Sequence, residues 1–183
     1  MTDGRRGFAA TLVGAALAVA LQCVVAPNIA LASAMPNFLA AFALVAAVVR
    51  PEATGPVLAF ALGLVFDLLG AGPVGAMAFL LVLATFLASR AFFALDNDTL
   101  FMPVAILLCS MLLVELFYAV FLMGTGLAAS PLDAFLYRAL PCALYDCVAA
   151  LVMFPVALRF MAPAKPRHSS SGIIVEGLDN CMV

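Results

Sequence analysis

Three carboxylates lie inside long apolar runs of the sequence, where ionisable side chains are rare. Asp67, Glu115 and Asp146 are each flanked by aliphatic and aromatic residues. A charged side chain at the centre of a membrane helix costs about 2.5–3.5 kcal/mol, and less near the water interface. Such acids have two interpretations. They bind a cation, an amine or a partner helix, or each is satisfied by local hydrogen bonds or reaches the water interface. The residues themselves leave both interpretations open.

Two neighbouring residues could act with these acids. Glu115 and Tyr118 are three residues apart on one apolar segment, so they share a helical face and the tyrosine hydroxyl can donate to the carboxylate. Arg138 is the one basic residue expected on the same side of the membrane as the acids. Asp133 is a second possible ion-pair partner for Arg138, so the arginine is not reserved for the three acids. At least two acids must therefore be hydrated, protonated, bonded within the protein or paired with another molecule. The candidate binding residues are Asp67, Glu115, Asp146, Tyr118 and Arg138.

The sequence carries no pattern typical of catalysis or metal binding. It contains no GxSxG, HExxH or Walker motif, and its single histidine, His168, lies near the C-terminus in a polar stretch. The five cysteines form no CxxC pair, and four of them lie in apolar runs, where a thiol packs as a small hydrophobic group. We therefore expect no enzymatic activity, no metal and no cofactor. A basic patch of the kind that binds nucleic acid is also missing.

The apolar segments that must position these residues define the class of protein. Hydrophobic residues make up 67% of the 183 and charged residues 10%, whereas a globular domain has about 45–50% and about 25%. The surplus apolar surface must face lipid. No segment alternates as a barrel strand would. The sequence predicts an all-α polytopic bundle of about six transmembrane helices over residues 1–162, with a flexible polar tail over 163–183. The six segments are Phe8–Ala26, Ile29–Val49, Pro56–Leu69, Val74–Ala88, Leu100–Met123 and Ala139–Met161.

The basic residues predict the orientation of this bundle. With a cytoplasmic N-terminus, the cytoplasmic stretches hold Arg5, Arg6, Arg50, Arg90, Arg159, Lys165 and Arg167, and the outer stretches hold Arg138. This asymmetry predicts that both termini are cytoplasmic. The third and fourth segments are short, since 14 residues of helix rise only about 21 Å. They are expected either to cross the membrane with the help of flanking residues or to form a re-entrant hairpin, and both choices give the same orientation.

Residues 63–75 read GLVFDLLGAGPVG, with a turn signal at Gly70, Gly72, Pro73 and Gly75. Gly63 shares a helical face with Asp67 and would allow a neighbouring helix to approach closely. Asp67 ends the third segment, so its carboxylate is expected to accept backbone N–H bonds from the turn. This segment, with the preceding Pro36-Asn37, resembles the rod shape-determining protein MreD family.

The resemblance implies a function. It implies a non-catalytic component of the bacterial plasma membrane that takes part in building the lateral cell wall. Such a scaffold would dock the single transmembrane helix of an MreC-like partner, and through it MreB, RodA and a class B penicillin-binding protein. The resemblance also implies that Asp67, Pro73 and Gly75 shape the turn. The alternative is the substrate-binding subunit of an energy-coupling-factor vitamin transporter, a fold that MreD proteins resemble; residues 63–75 favour MreD.

Overall fold

The computed structural model describes residues 2–30, 34–50, 56–94, 101–127 and 130–161, and the regular elements within these ranges are helices. The all-helical prediction is therefore confirmed, while the tail at 163–183 lies outside the described residues. A 3₁₀ turn at Ala26–Asn28 follows the first helix, and a π-helical stretch at Asp133–Ala139 leads into the last one. The α-helices are α1 Thr2–Val24, α2 Phe38–Val49, α3 Pro56–Leu69, α4 Ala76–Ala94, α5 Phe101–Gly124 and α6 Leu140–Met161.

Four segments are long and apolar enough to cross a membrane, namely Gly7–Asn28, Ala76–Ala94, Phe101–Gly124 and Ala134–Met161. The helix α4, at Ala76–Ala94, extends further toward the C-terminus than the predicted segment Val74–Ala88. The helix continues past Ala88 to Ala94, and just beyond Ala88 the Ser89 hydroxyl donates to the Thr85 carbonyl one turn back, at 2.7 Å, and to the Ala47 carbonyl of α2, at 3.4 Å.

Two helices are shorter than the four spanning segments. The 14-residue helix α3 has the bounds expected from the sequence. The 12-residue helix α2 begins later than its apolar run, because Asn37 caps it and accepts the Ala40 N–H at 2.9 Å. At 1.5 Å per residue, α2 is about 18 Å long and α3 is about 21 Å long.

Contacts between helix ends show that successive helices run in opposite directions. At one end of the bundle, which we call the arginine end, Arg50 at the close of α2 lies against Gly7 of α1 and donates to the Met161 carbonyl of α6 at 3.2 Å. At the opposite end, Gln22 near the close of α1 accepts the N–H of Phe38, which begins α2, at 2.8 Å. The start of α1 and the end of α6 therefore share the arginine end.

The core of the bundle is α2. Every residue from Leu39 to Val48 is buried, and α2 contacts each of the other five α-helices. The outer helices keep large apolar side chains exposed, among them Leu17, Phe79, Leu113 and Val152. Lipid-facing surface is thus supplied by the outer helices, whereas α2 is packed in protein along almost its whole length.

Candidate functional site

Asp67 occupies the junction between α3 and α4 and is 1% exposed. Its Oδ2 accepts the Gly75 N–H at 2.8 Å and the Ala78 N–H at 3.2 Å, and its Oδ1 accepts the Met77 N–H at 3.2 Å. Gly75 belongs to the turn, as expected from the sequence, and the other two donors belong to the first turn of α4. The carboxylate therefore closes the hairpin and satisfies the free N–H groups at the positive end of the α4 dipole.

Gly63 and Gly75 give this hairpin its shape. A Cβ added at Gly63 would lie 2.7 Å from the Ala78 nitrogen and 2.8 Å from the Met77 carbonyl oxygen, so α3 and α4 touch backbone to backbone. Gly75 has a φ of 94°, which favours glycine and turns its N–H toward Asp67. The Gly70 N–H donates to Phe66 at the end of α3, and the Pro73 carbonyl accepts the Ala76 N–H at the start of α4.

Tyr118 of α5 packs on this turn. Its ring meets Phe66 edge-on, with the centroids 6.0 Å apart, and its hydroxyl lies directly against Gly72. The hydrogen bond expected from Tyr118 to Glu115 is not among the hydrogen bonds of the described residues. Tyr118 lies instead within electrostatic range of Asp67, Glu115 and Arg138.

The other two acids come together, although they are 31 positions apart in the sequence. Asp146 of α6 is fully buried and Glu115 of α5 is 7% exposed, and the two carboxyl groups lie within electrostatic range of each other. The Oδ1 of Asp146 accepts the Asn37 N–H at 2.6 Å. Its buried Oδ2 has no donor among the described residues. Two neighbouring carboxylates repel each other, so burial of both groups in the charged form is unfavourable.

Arg138 lies near this acid pair on the π-helical stretch, exposed and within electrostatic range of Glu115. Since α5 and α6 run in opposite directions, Glu115 and Asp146 meet near the end of the bundle where Asp67 and Arg138 also lie. We call this the acid end. The structure thus places the five candidate residues at one end of the bundle. The acids differ in their surroundings, because Asp67 accepts hydrogen bonds from backbone N–H groups, whereas Glu115 and Asp146 lie next to each other.

Three polar residues that the sequence did not single out as site residues complete the framework. Gln22 donates to the Pro36 carbonyl at 3.2 Å and accepts the Phe38 N–H, which ties α1 to the start of α2. Asn37 caps α2 and donates to Asp146, while Arg50 lies at the arginine end. Each of these three residues interrupts or borders an apolar run in the sequence. That position could have identified them as candidate site residues.

Two concave regions meet at Glu115. A cavity of about 390 Å³ has a mostly apolar wall, which includes Met35, Phe66 and Leu69, and five polar or charged side chains also line it: Gln22, Asn37, Glu115, Tyr118 and Arg138. An apolar groove of about 460 Å³ runs between α5 and the π-helical stretch with the start of α6, and Glu115 also borders it. Among the described residues no group of three metal-ligating side chains is present.

Comparison with known proteins agrees with this architecture. The family model of the rod shape-determining protein MreD matches residues 7–163. This range includes all six α-helices except the first turn of α1. No curated protein and no solved structure matches the chain. The resemblance carried by residues 63–75 is therefore confirmed over almost the whole length. The chain is a membrane protein that belongs to the MreD family of rod shape-determining proteins.

Proposed function

We propose that this protein is a non-catalytic scaffold of the bacterial plasma membrane that docks the transmembrane helix of an MreC-like partner in the cell-wall elongation machinery. The observation that carries the proposal is the family match over residues 7–163. The exposed apolar faces of α1, α4, α5 and α6 support it, because they offer helix-sized surfaces inside the membrane. Through that partner the protein would act with MreB, RodA and a class B penicillin-binding protein.

The experiment for docking uses the full chain and a single-span MreC-like protein purified together in mild detergent. A photoreactive residue is placed in turn at Leu17, Leu83, Leu113 and Val152, exposed positions on four different helices. Docking predicts crosslinks confined to one or two neighbouring helices. A partner whose transmembrane helix is scrambled in sequence is the matched control. Equal crosslinking at all four positions, or equal recovery of the scrambled partner, would contradict a specific docking face.

Six membrane crossings with both termini in the cytoplasm form part of the same proposal. The alternating helix directions support it, as does the charge distribution. Arg50, Arg90 and Arg159 lie at or near the arginine end, and Arg138 lies at the acid end. The short helices α2 and α3 would cross where the bilayer is thinned and where protein surrounds them.

Thiol labelling of intact cells tests this orientation. In a background without Cys23, Cys109, Cys142 and Cys147, the substitution Ser130→Cys should react with an impermeant reagent. Native Cys181 should react only after the cells are opened. Labelling of Cys181 from outside would reverse the proposed orientation.

The cavity of about 390 Å³ beside Glu115 favours one second candidate, the substrate-binding subunit of a vitamin transporter, because its volume suits a small ligand. The same purification separates the two functions. Co-purification with ATPase subunits and a bound vitamin would replace the scaffold proposal, whereas recovery of the single-span partner without either supports it.

A further inference from the structure

Helix α3 presents an apolar side to lipid although it is shorter than a bilayer is thick. Its 14 residues are about 21 Å long, whereas the hydrocarbon core of a bilayer is about 30 Å thick. Helix α2 is shorter still, but it is packed in protein. Of the six α-helices, α3 is therefore the one whose short length is exposed to lipid. Its large exposed side chains are Val57, Phe60, Leu68 and Leu69.

The turn that follows α3 needs water or lipid headgroups around it. Ala71 and Val74 are exposed, and their backbone N–H groups have no acceptor in the part of the chain that the structure describes. Such groups are not tolerated in contact with hydrocarbon. Residues 56–75 also contain no lysine, arginine, tyrosine or tryptophan that could reach a more distant interface, and their one ionisable side chain, Asp67, is buried. The polar surface of the membrane must therefore lie at the end of α3.

The neighbouring helix α5 remains apolar beyond this level. The Tyr118 hydroxyl lies against Gly72 of the turn, and α5 continues to Gly124, about 9 Å further along its axis. Val120 and Phe121 in this extension are apolar and exposed. These side chains need hydrocarbon, whereas the turn needs polar surroundings. The edge of the hydrocarbon therefore lies closer to the centre of the bilayer at α3 than at α5.

We propose that the protein thins the bilayer on one side, next to the exposed face of α3, and collects lipids with short acyl chains there, while the bilayer next to α5 keeps its ordinary thickness. The proposal rests on the crossing of the membrane by α3 in the proposed orientation, and it is independent of partner docking. A mismatch of this kind sorts a protein toward thinner regions of a membrane.

Two features of α3 favour lipid over the other ways of meeting the mismatch. The helix cannot slide along its neighbour, because Asp67 and the close contact at Gly63 fix it to the start of α4. A partner helix fits the outer face less well, because the single glycine of α3 already packs on α4 and the large exposed side chains keep another backbone at a distance.

Fluorescence quenching by lipid tests the proposal. The sequence contains no tryptophan, so one substitution supplies the reporter. Phe60→Trp places it on the outer face of α3, and Phe117→Trp is the matched control on α5, since these phenylalanines are 49% and 50% exposed. Each variant of the full chain is reconstituted into an equal mixture of short-chain and long-chain phosphatidylcholine. One or the other lipid carries bromine atoms, which quench tryptophan on contact.

The two positions should differ in their preference for lipid. At Phe60→Trp we expect the short-chain lipid to quench about threefold more than the long-chain lipid, because the cost of mismatch grows with each ångström of excess thickness. At Phe117→Trp the two lipids should quench equally. Equal quenching at Phe60→Trp would overturn the proposal. The same preference at both positions would also overturn it, since thinning would then surround the whole bundle.

The step in the hydrocarbon edge is tested with two cysteines. In a chain without its native cysteines, Val74→Cys replaces an exposed valine of the turn and Val120→Cys an exposed valine of α5. A water-soluble maleimide reacts with the thiolate, which hydrocarbon disfavours, so in liposomes we expect Val74→Cys to react about tenfold faster. Both positions lie toward the acid end, so mixed orientation of the chain does not change the ratio. Equal rates, whether fast or slow, would overturn the proposal.

The occupant of the outer face of α3 is identified separately. A photoreactive residue in place of Leu68 should crosslink to lipid when the full chain is reconstituted with the single-span partner. A crosslink to that partner, or to a second copy of the chain, would assign the face to protein and overturn the proposal. Loss of docking alone would leave this result unchanged, because the docking experiment probes α1, α4, α5 and α6. A reversed orientation would appear as labelling of Cys181 from outside and would leave the quenching preference in place.

Discussion

The acid end contains two arrangements of buried carboxylates that differ in how they are satisfied. At the α3–α4 hairpin, Asp67 accepts three backbone N–H bonds from residues 8 to 11 positions away. Between α5 and α6, Glu115 and Asp146 face each other, and the pair receives one backbone N–H, from Asn37, 109 residues away from Asp146. Asp67 completes a turn. Of the other two acids, Glu115 borders a cavity, and Asp146 is fully buried with one oxygen that has no donor among the described residues. Burial alone therefore does not distinguish an acid whose oxygens are all satisfied by backbone N–H groups from one whose oxygens are not, whereas the donors around it do.

The largest expected effect comes from removing the acceptor at the hairpin. Asp67→Leu leaves three buried N–H groups without a partner, and each costs about 1–3 kcal/mol. We expect the variant to be strongly depleted from the membrane. Asp67→Asn keeps one acceptor oxygen and should be milder. Quantitative immunoblotting of membranes measures both variants, and normal abundance of Asp67→Leu would show that the hairpin holds without its carboxylate.

The next effect comes from separating the two helices of the hairpin. Gly63→Ala forces α3 away from the backbone of α4 and should cost about 1–3 kcal/mol. Gly124→Ala is the matched control, because a Cβ there meets nothing within 4 Å; it should be neutral or stabilising. Thermal unfolding in detergent compares the two. Equal melting temperatures would mean that α3 and α4 can move apart freely.

A smaller effect is expected where Tyr118 joins the hairpin to α5. Gly72→Ala places a methyl group against the Tyr118 hydroxyl and should cost about 1 kcal/mol. In a Tyr118→Phe background the cost should fall, giving a coupling of about 0.5 kcal/mol or more. A double-mutant cycle on the free energy of unfolding measures this coupling. Strict additivity would indicate that the ring turns away without cost.

The smallest effect on stability is expected at the pair formed by Glu115 and Asp146. Glu115→Gln and Asp146→Asn each remove one of two adjoining acids and supply an amide donor to the other. Unfolding free energies should therefore change by less than about 1 kcal/mol. The same thermal unfolding measurement serves here. If either substitution lowered the free energy of unfolding as much as Asp67→Leu, the acid pair would be as important for stability as the hairpin carboxylate.

Local interactions of this protein could be predicted from the sequence, and distant ones could not. The bounds of α3 and the bonds of Asp67 follow from a glycine-rich turn that lies within a few residues of the carboxylate. The pairing of Asp146 with Asn37 and Glu115 could not be inferred, because hydropathy orders the segments along the chain but not around the bundle. The contact between Arg50 and Met161 was hidden for the same reason.

The role of α2 shows a second limit of sequence patterns. Its residues are as apolar as those of a lipid-facing span, and nothing in their order distinguishes a helix packed in protein from one in contact with lipid. The short length of the helix was also not expected, because it depends on the cap at Asn37 and not on where the apolar run begins.

The bond between Asn37 and Asp146 also sets an order of events during biosynthesis. The ribosome adds 109 residues after Asn37 before it reaches Asp146, which takes roughly 5–20 s at 5–20 residues per second. Throughout that interval α2 is present in the nascent chain, but α6, one of the helices that it packs against, has not been synthesised. Insertion of the last helix is therefore the step that converts a set of separately inserted segments into a finished protein. In a chain truncated before α6, the side of α2 that contacts α6 would lack its protein neighbour.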